Sequence, residues 1–443
     1  MARADDALNG LRADFRPDDT VYLKSVTELG DRMPVVTSRD VHSTTGIKLV
    51  SQGARINSGF YDKLVRHKLT LPLDHCLMVE NPVDSPSLVS MARPLLESHP
   101  LLREMVRRAA PRDLSALLAY VQLVPSLAFK LTVIREQHPD LLLHSLRVAI
   151  IGQYLGHCLG LAEDDLRHLA AAALFHDVGM VHIDPRYLVP GYRMNATERR
   201  HLYAHPVTGY LILKAFPEYS PEVGMAILEH HERLDGSGYP RGVTGAQLSL
   251  FGQILAVAEV ADSRLGRMDA AGKGYASGLA AILKLNAKKL NFDIAAHLFA
   301  LADEKGPPSA DTAGKREILE GIGQAFGNWD KAYQGYVAGQ KEPSELMDTI
   351  NERLGVLRFA LHDAGMNPSE ISLLCQAGKE DPRVRAEIEA MVGETRWQLQ
   401  DLVEGILVRW SGLLTDAHRA DEMLAKAWIE ETVRVCRFEQ SPL

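Results

Sequence analysis

The segment His230-His231-Glu232-Arg233-Leu234-Asp235-Gly236-Ser237-Gly238-Tyr239-Pro240 sets two adjacent imidazoles and two carboxylates ahead of a glycine-rich turn. His176-Asp177 and His205-Pro206 stand upstream, Asp140 and His144 before them, and Glu259 follows inside an apolar run. Asp140 and His144 are four apart on a predicted helix, which puts them on one face. An imidazole or carboxylate on an apolar face costs desolvation unless it is paired or bound to metal. His144, His176, His205, His230 and His231, with Asp140, Asp177 and Glu259, therefore read as a metal cluster.

Nitrogen and oxygen donors without a thiolate argue against a structural zinc finger and suit Fe, Mn, Zn, Ni or Co in open coordination. So many ligands exceed the needs of one ion. Two ions bridged by a carboxylate would use them, and Asp177, next to His176, is the natural bridge. Adjacent His230 and His231 cannot point the same way on a helix, so each is expected to serve a different ion. A two-metal site holds a hydroxide between the ions and stabilises the attacking and leaving oxygens of an in-line displacement, the chemistry of phosphoester hydrolysis.

The elements that must position these groups are mostly helices. Leu141 to Ile151 mark one, and Ala170 to Phe175 form a compact buried one ending at His176. Further helices are expected near 196–216, 220–231, 246–266, 276–289 and 292–303, and beyond a linker near 316–337, 344–364, 381–414 and 417–436. Leu114, Leu117, Leu118, Val121 and Val124 also recur at helical spacing. The expected class is mainly α, a helical metal-binding bundle with a small N-terminal β-rich module and a C-terminal helical extension. Strands are expected at Val21–Leu23, Pro34–Thr37, Ile47–Val50 and Cys76–Val79, with Ser58 capping a short helix. The organisation read from this is a leader 1–20, an α/β module 21–85, connecting helices 86–135, the metal domain 136–303, a linker 304–315 and a helical extension 316–443. Trp397, Leu399, Leu402, Ile406, Leu407, Trp410 and Leu413 line one face of the extension, for packing inside the molecule or against a protein partner or second copy.

Composition narrows the partners. A formal charge of −8 argues against extended nucleic acid, though not against a small phosphate ligand. No run of apolar residues is long enough for a membrane span. Cys76, Cys158, Cys375 and Cys436 are far apart and read as reduced thiols of a cytoplasmic protein.

His176-Asp177-Val178-Gly179 and His230-His231-Glu232-x-x-Asp235-Gly236-x-Gly238-Tyr239-Pro240, with Pro190-Gly191 and His205-Pro206-x-x-Gly209 between them, resemble the HD-GYP family of HD-domain phosphohydrolases over residues 136–303. The resemblance implies metal ligands at His144, His176, Asp177, His205, His230 and His231. Glu259 stands where the family has Asp, and Asp140 where some members place a Glu that admits a third metal. It also implies a centre of two ions, with room for a third, Fe or Mn foremost and Zn or Ni as alternatives. The implied activity is hydrolysis of cyclic di-GMP in bacterial second-messenger signalling, with Asp177 and His176 as catalytic residues.

Met180 and Val189 depart from the pattern, each standing where the family has Lys. Arg147, Arg193, Arg264 and Arg267 are the candidate substrate contacts; Arg147 could equally pair with a helix carboxylate. Glu232 or Asp235 is expected either to accept from an imidazole or to shape the loop. The altered cations leave two other functions open: a catalytically impaired nucleotide-binding or protein-interaction module, and a phosphohydrolase of another phosphoester.

Overall fold

The computed structural model describes residues 19–189, 192, 194–265, 275–302, 313–339, 344–367 and 381–438. It is mainly helical, with two small antiparallel strand pairs near the N-terminus. Two compact units emerge, Met1–Asp184 with Leu202–Gly266, and Pro185–His201 with Arg267–Leu443. Among the described residues no helix is long and apolar enough to cross a membrane.

In the first unit, Val35–Thr37 pairs with Leu77–Val79, and Val41–His42 with Lys48–Val50. Val21-Tyr22-Leu23 is not a strand; it lies in the helix Asp19–Arg32. The run was too short to fix a period, and the wider spacing of buried Tyr22, Val26 and Leu29 is helical. Nor does Ser58 cap its helix. Asn57 does so, accepting from Gly59 N at 3.0 Å, while Ser58 N donates to Asp31. Residues 114–124 form only the short 3-10 segment Ala116–Tyr120, and the α-helix starts at Pro125.

The helices Pro139–Cys158 and Glu163–Phe175 form the centre of this unit. Each begins with a feature suited to a helix start: Pro139 at the first position, and Glu163, Asp164 and Asp165 facing the positive end of the dipole. Their apolar residues are buried nearly all round, including Leu146, Ile150, Leu169 and Ala170 to Phe175. His205–Lys214, Pro221–Glu229 and Leu250–Leu265 complete the set that carries the candidate ligands.

The second unit gathers Ala313–Gly339, Glu345–Asp363, Pro382–Arg409 and Ala420–Val435 with Tyr275–Leu285 and Phe292–Ala302. Trp329 and Trp428 meet edge to face at 5.2 Å in its core, and Trp428 Nε1 donates to the Ala325 carbonyl. Most of the predicted stripe is used there. Leu399, Leu402, Ile406 and Leu413 are buried in that core, Leu407 and Trp410 pack on it, and Trp397 stays exposed. Arg199, from the Pro185–His201 segment, forms a buried ion pair with Glu404. Cys76, Cys158 and Cys436 are free thiols, and Cys375 lies outside the described residues.

Candidate metal centre

Five helix ends or faces aim imidazoles and carboxylates into one place in the first unit. His176 and Asp177 follow the C-terminal end of Glu163–Phe175, and His205 opens its helix. His230 and His231 follow Pro221–Glu229, while His144 and Glu259 sit mid-helix. Close backbone contact tightens this arrangement. A Cβ on Gly179 would fall 2.1 Å from the His205 carbonyl oxygen, so only glycine lets the His176-Asp177 turn lie against the His205 helix. A Cβ on Gly238 would fall 2.4 Å from the His231 carbonyl oxygen, so glycine there lets the turn fold back onto the ligand pair.

The donors fall into two groups. His144, His176 and Glu259 form one; Asp177, His205, His230 and His231 form the other, with ligand atoms inside each group within 4.8 Å of one another. His230 and His231 therefore face one group and not one each, both lying past the end of their helix where the helical offset no longer separates them. Asp177 joins them. Its Oδ2 lies 3.4 Å from His176 Nε2 and 3.7 Å from His144 Nε2. Its Oδ1 lies 3.1 Å from His205 Nε2 and 3.6 Å from His230 Nε2. Glu259 Oε1 is 2.8 Å from His176 Nε2 and 3.0 Å from His144 Nε2.

The outer nitrogens explain why the inner ones are available. Nδ1 of His176, His205 and His230 each lies 2.7 Å from a carbonyl oxygen three residues back, those of Ala173, Leu202 and Ile227. A carbonyl only accepts, so each Nδ1 carries its proton, and Nε2 is left as the inward nitrogen that offers a lone pair whenever the ring is neutral. His144 Nδ1 donates instead to Asp262 Oδ2 at 2.6 Å. His205 and His230 bring their Nε2 atoms within 3.2 Å of each other, as do His144 and His176. Neutral rings would set two lone pairs against each other at that distance, and a proton or a metal cation relieves the repulsion. Asp177 Oδ1 is buried without a hydrogen-bond partner. The donor set and this orphaned oxygen fit divalent ions.

Charge divides unevenly between the groups. Burial opposes a charge on His176, but Asp177 and Glu259 outweigh it and hold the imidazole up at about 10. Burial likewise opposes a charge on His144, and Glu259 and Asp262 carry it well above its ordinary value. His230 goes the other way, pushed down to about 4 by burial despite the pull of Asp177. His231 is also held well below its ordinary value by burial, with His230 and His205 adding to the effect. Burial works to raise Asp177 and Glu259, yet the neighbouring imidazoles hold both far below the usual carboxylate range. Without metal, protons supply the positive charge that an ion would otherwise provide.

Seven of the eight candidate ligands are thus brought together, and Asp140 is not. It is exposed in the first turn of its helix and belongs to neither group among the described residues. Arg147 takes the carboxylate-pairing role, forking onto Asp262 at 2.6 and 3.0 Å. Glu232 accepts from the Arg241 and Val243 backbone N–H groups, and Asp235 Oδ1 accepts from Ser237 N and Oγ. Both shape the loop. Arg193, Arg267 and the side chain of Arg264 lie outside the described residues. Met180 is buried in the 3-10 turn Val178–His182, and Val189 is exposed.

Asp262 is the participant that sequence reasoning did not single out. It stands three residues after Glu259 on the same helix face, and that spacing was the available signal.

Residues 92–295 match the model of the HD domain family. Among curated proteins, the cyclic di-GMP phosphodiesterase response regulator RpfG of Xanthomonas campestris pv. campestris is 36% identical over 120 residues, 27% of this chain and 32% of that protein. The 3'3'-cGAMP-specific phosphodiesterase 3 of Vibrio cholerae is 34% identical over 120 residues, 27% of this chain and 26% of that protein. A cyclic di-GMP phosphodiesterase of Thermotoga maritima is 32% identical over 125 residues, 28% of this chain and 34% of that protein. The chain spans about a third of the length of these relatives, or less.

Proposed function

Starting from residues 92–295 as a segment that belongs to the HD-domain family and carries the HD-GYP motifs, we propose that the chain is a metal-dependent phosphodiesterase acting on a cyclic dinucleotide. The observation that carries this reading is Asp177, whose two oxygens face two separate groups of nitrogen and oxygen donors. His144, His176, Glu259 and Asp177 would hold one divalent ion; Asp177, His205, His230 and His231 would hold the other. Such a pair supplies Lewis acidity toward a phosphoryl oxygen and a nucleophile at neutral pH. Fe or Mn suits the donor set, and Zn or Ni is the alternative.

The chain's own residues do the positioning. Asp262 keeps a proton on His144 Nδ1, and Arg147 holds Asp262 in place. The carbonyls of Ala173, Leu202 and Ile227 keep the other three rings in one tautomer. Arg193, Arg264 and Arg267 are the proposed phosphate contacts.

Cyclic di-GMP is the proposed substrate, and the Vibrio cholerae relative makes 3'3'-cGAMP the comparison. The test is product analysis with purified protein loaded with Mn or Fe under reducing conditions, offered cyclic di-GMP, 3'3'-cGAMP and a panel of phosphomonoesters. Linear dinucleotide from cyclic di-GMP is the expected outcome. Turnover of 3'3'-cGAMP or of a monoester alone would reassign the substrate, and tight nucleotide binding without turnover would indicate a binding module.

A further inference from the structure

His231 differs from the four other imidazoles of the centre. Each of those is fixed by a hydrogen bond at the nitrogen facing away from the cluster. No such hydrogen bond is found for the His231 ring among the described residues. Its neighbours are other rings. Tyr239 stacks on it at 4.6 Å and 29°, and Tyr203 stacks on Tyr239 at 4.1 Å and 6°. His205 meets His231 edge-on at 5.1 Å.

We propose that Tyr203 is a positioning residue for the metal centre, fixing His231 through the three-ring stack Tyr203–Tyr239–His231. This rests on the two-ion reading above. Tyr203 ends the helix Ala196–Tyr203, two residues before His205, and Tyr239 lies in the turn that follows His231. The stack therefore ties the segment carrying one ligand to the turn that follows another. Arg241, two residues past Tyr239, steadies the turn by donating to Glu229 at 2.8 Å.

The physics differs from that of a hydrogen bond. Stacking resists tilt of a ring out of its plane but barely resists rotation within it. His231 consequently relies on the flat face of its neighbour, and Tyr239 relies on Tyr203. A phenyl ring at 203 can do this, whereas an aliphatic side chain cannot. The stack itself is made by the ring faces.

The test is Mn(II) titration of the full chain after chelation, with free Mn(II) counted by electron paramagnetic resonance. Wild type, Tyr203→Leu, Tyr203→Phe and Tyr239→Leu are compared, with thermal unfolding as the folding control. Wild type is expected to bind two ions. Tyr203→Leu should weaken one of the two ions by about tenfold and leave the affinity of the other unchanged, as loss of an outer support does. Tyr239→Leu should do the same, and Tyr203→Phe should match wild type. It also keeps the test open should the leucine variant fail to fold, since a phenylalanine variant that folds yet binds either ion weakly overturns the proposal. Wild-type affinities in both leucine variants overturn it as well. Wild type that binds no Mn(II), or a single ion, instead overturns the two-ion reading and with it this inference, a result visible before any variant is made.

Discussion

Glu394 in the second unit and Asp177 in the first are both carboxylates set among polar side chains from distant parts of the chain, and they differ in what satisfies them. Glu394 is buried and accepts from the side-chain amides of Asn286 at 2.8 Å and Gln398 at 3.0 Å. Gln398 in turn accepts from Lys289 at 2.9 Å. Every hydrogen bond in that network has a donor supplied by the chain. Asp177 Oδ1 faces His205 and His230, whose Nδ1 protons are committed to backbone carbonyls, and it accepts nothing. A buried polar network that closes on itself builds a core. One whose lone pairs converge without donors costs stability until a cation arrives.

Removing the bridge should break this contrast most severely. Asp177→Ala should lose both ions and cut phosphodiester hydrolysis by roughly a thousandfold or more, since Lewis-acid stabilisation is worth several kcal/mol and each 1.36 kcal/mol is tenfold. Metal analysis and turnover read it, and retained metal with full turnover would remove Asp177 from the site. Asp262→Asn leaves every ligand in place and disturbs only His144 Nδ1. Metal affinity should fall by about tenfold to a hundredfold, measured by competition with a chelator.

The closed network responds differently. Glu394→Ala removes one acceptor from each of the Asn286 and Gln398 amides, leaving Asn286 bonded to the Ile282 carbonyl and Gln398 to Asn286, and should cost about 1 kcal/mol in chemical denaturation, with metal content unchanged. Metal loss in that variant would show that the two networks are not separate.

The smallest effect is one of protons. His176 sits at about 10 and His144 is raised, whereas His230 is near 4. Loading the group containing His144 and His176 at neutral pH must therefore expel protons, while His230 is already neutral. Calorimetry in buffers of different ionisation enthalpy should detect that release, with metal binding tightening as pH rises from 7 toward 10. Metal-free protein should run the opposite way. Its raised His176 contributes stability fully below about 6.5 and loses it as pH rises through about 10. Binding that is indifferent to pH would contradict the assignment of these protons.

The clustering of the candidate ligands was legible because they are chemically loud. A histidine or acid on an apolar helix face is costly unless something pairs with it, and the motif spacing places these residues in order. The helical class was legible for a similar reason, since long periodic segments such as 382–409 allow little else. Asp262 was harder because its role lies in touching His144, 118 residues away, and not the ion. Tyr203 belongs to no motif, and its stacking partner comes from a loop. Asp140 has suitable spacing to His144 but the wrong direction, exposed at the first turn of its helix. The Asn286–Glu394 contact spans 108 residues between helices whose apolar stripes were clear, but a stripe does not say which polar neighbours will meet. At Val21–Leu23 a three-residue run carried too little periodicity to separate strand from helix.

Because the two oxygens of one carboxylate face both donor groups, two ions held as proposed would share a coupling free energy, and linkage would make that coupling reciprocal. Whatever the first ion does to the affinity of the second, the second does in equal measure to the first. A substitution at Asp177, which alters the coupling itself, would therefore be felt at both positions. Measured with one ion in excess, such a centre would behave as a single thermodynamic object with two occupants, its response to metal supply a property of the pair.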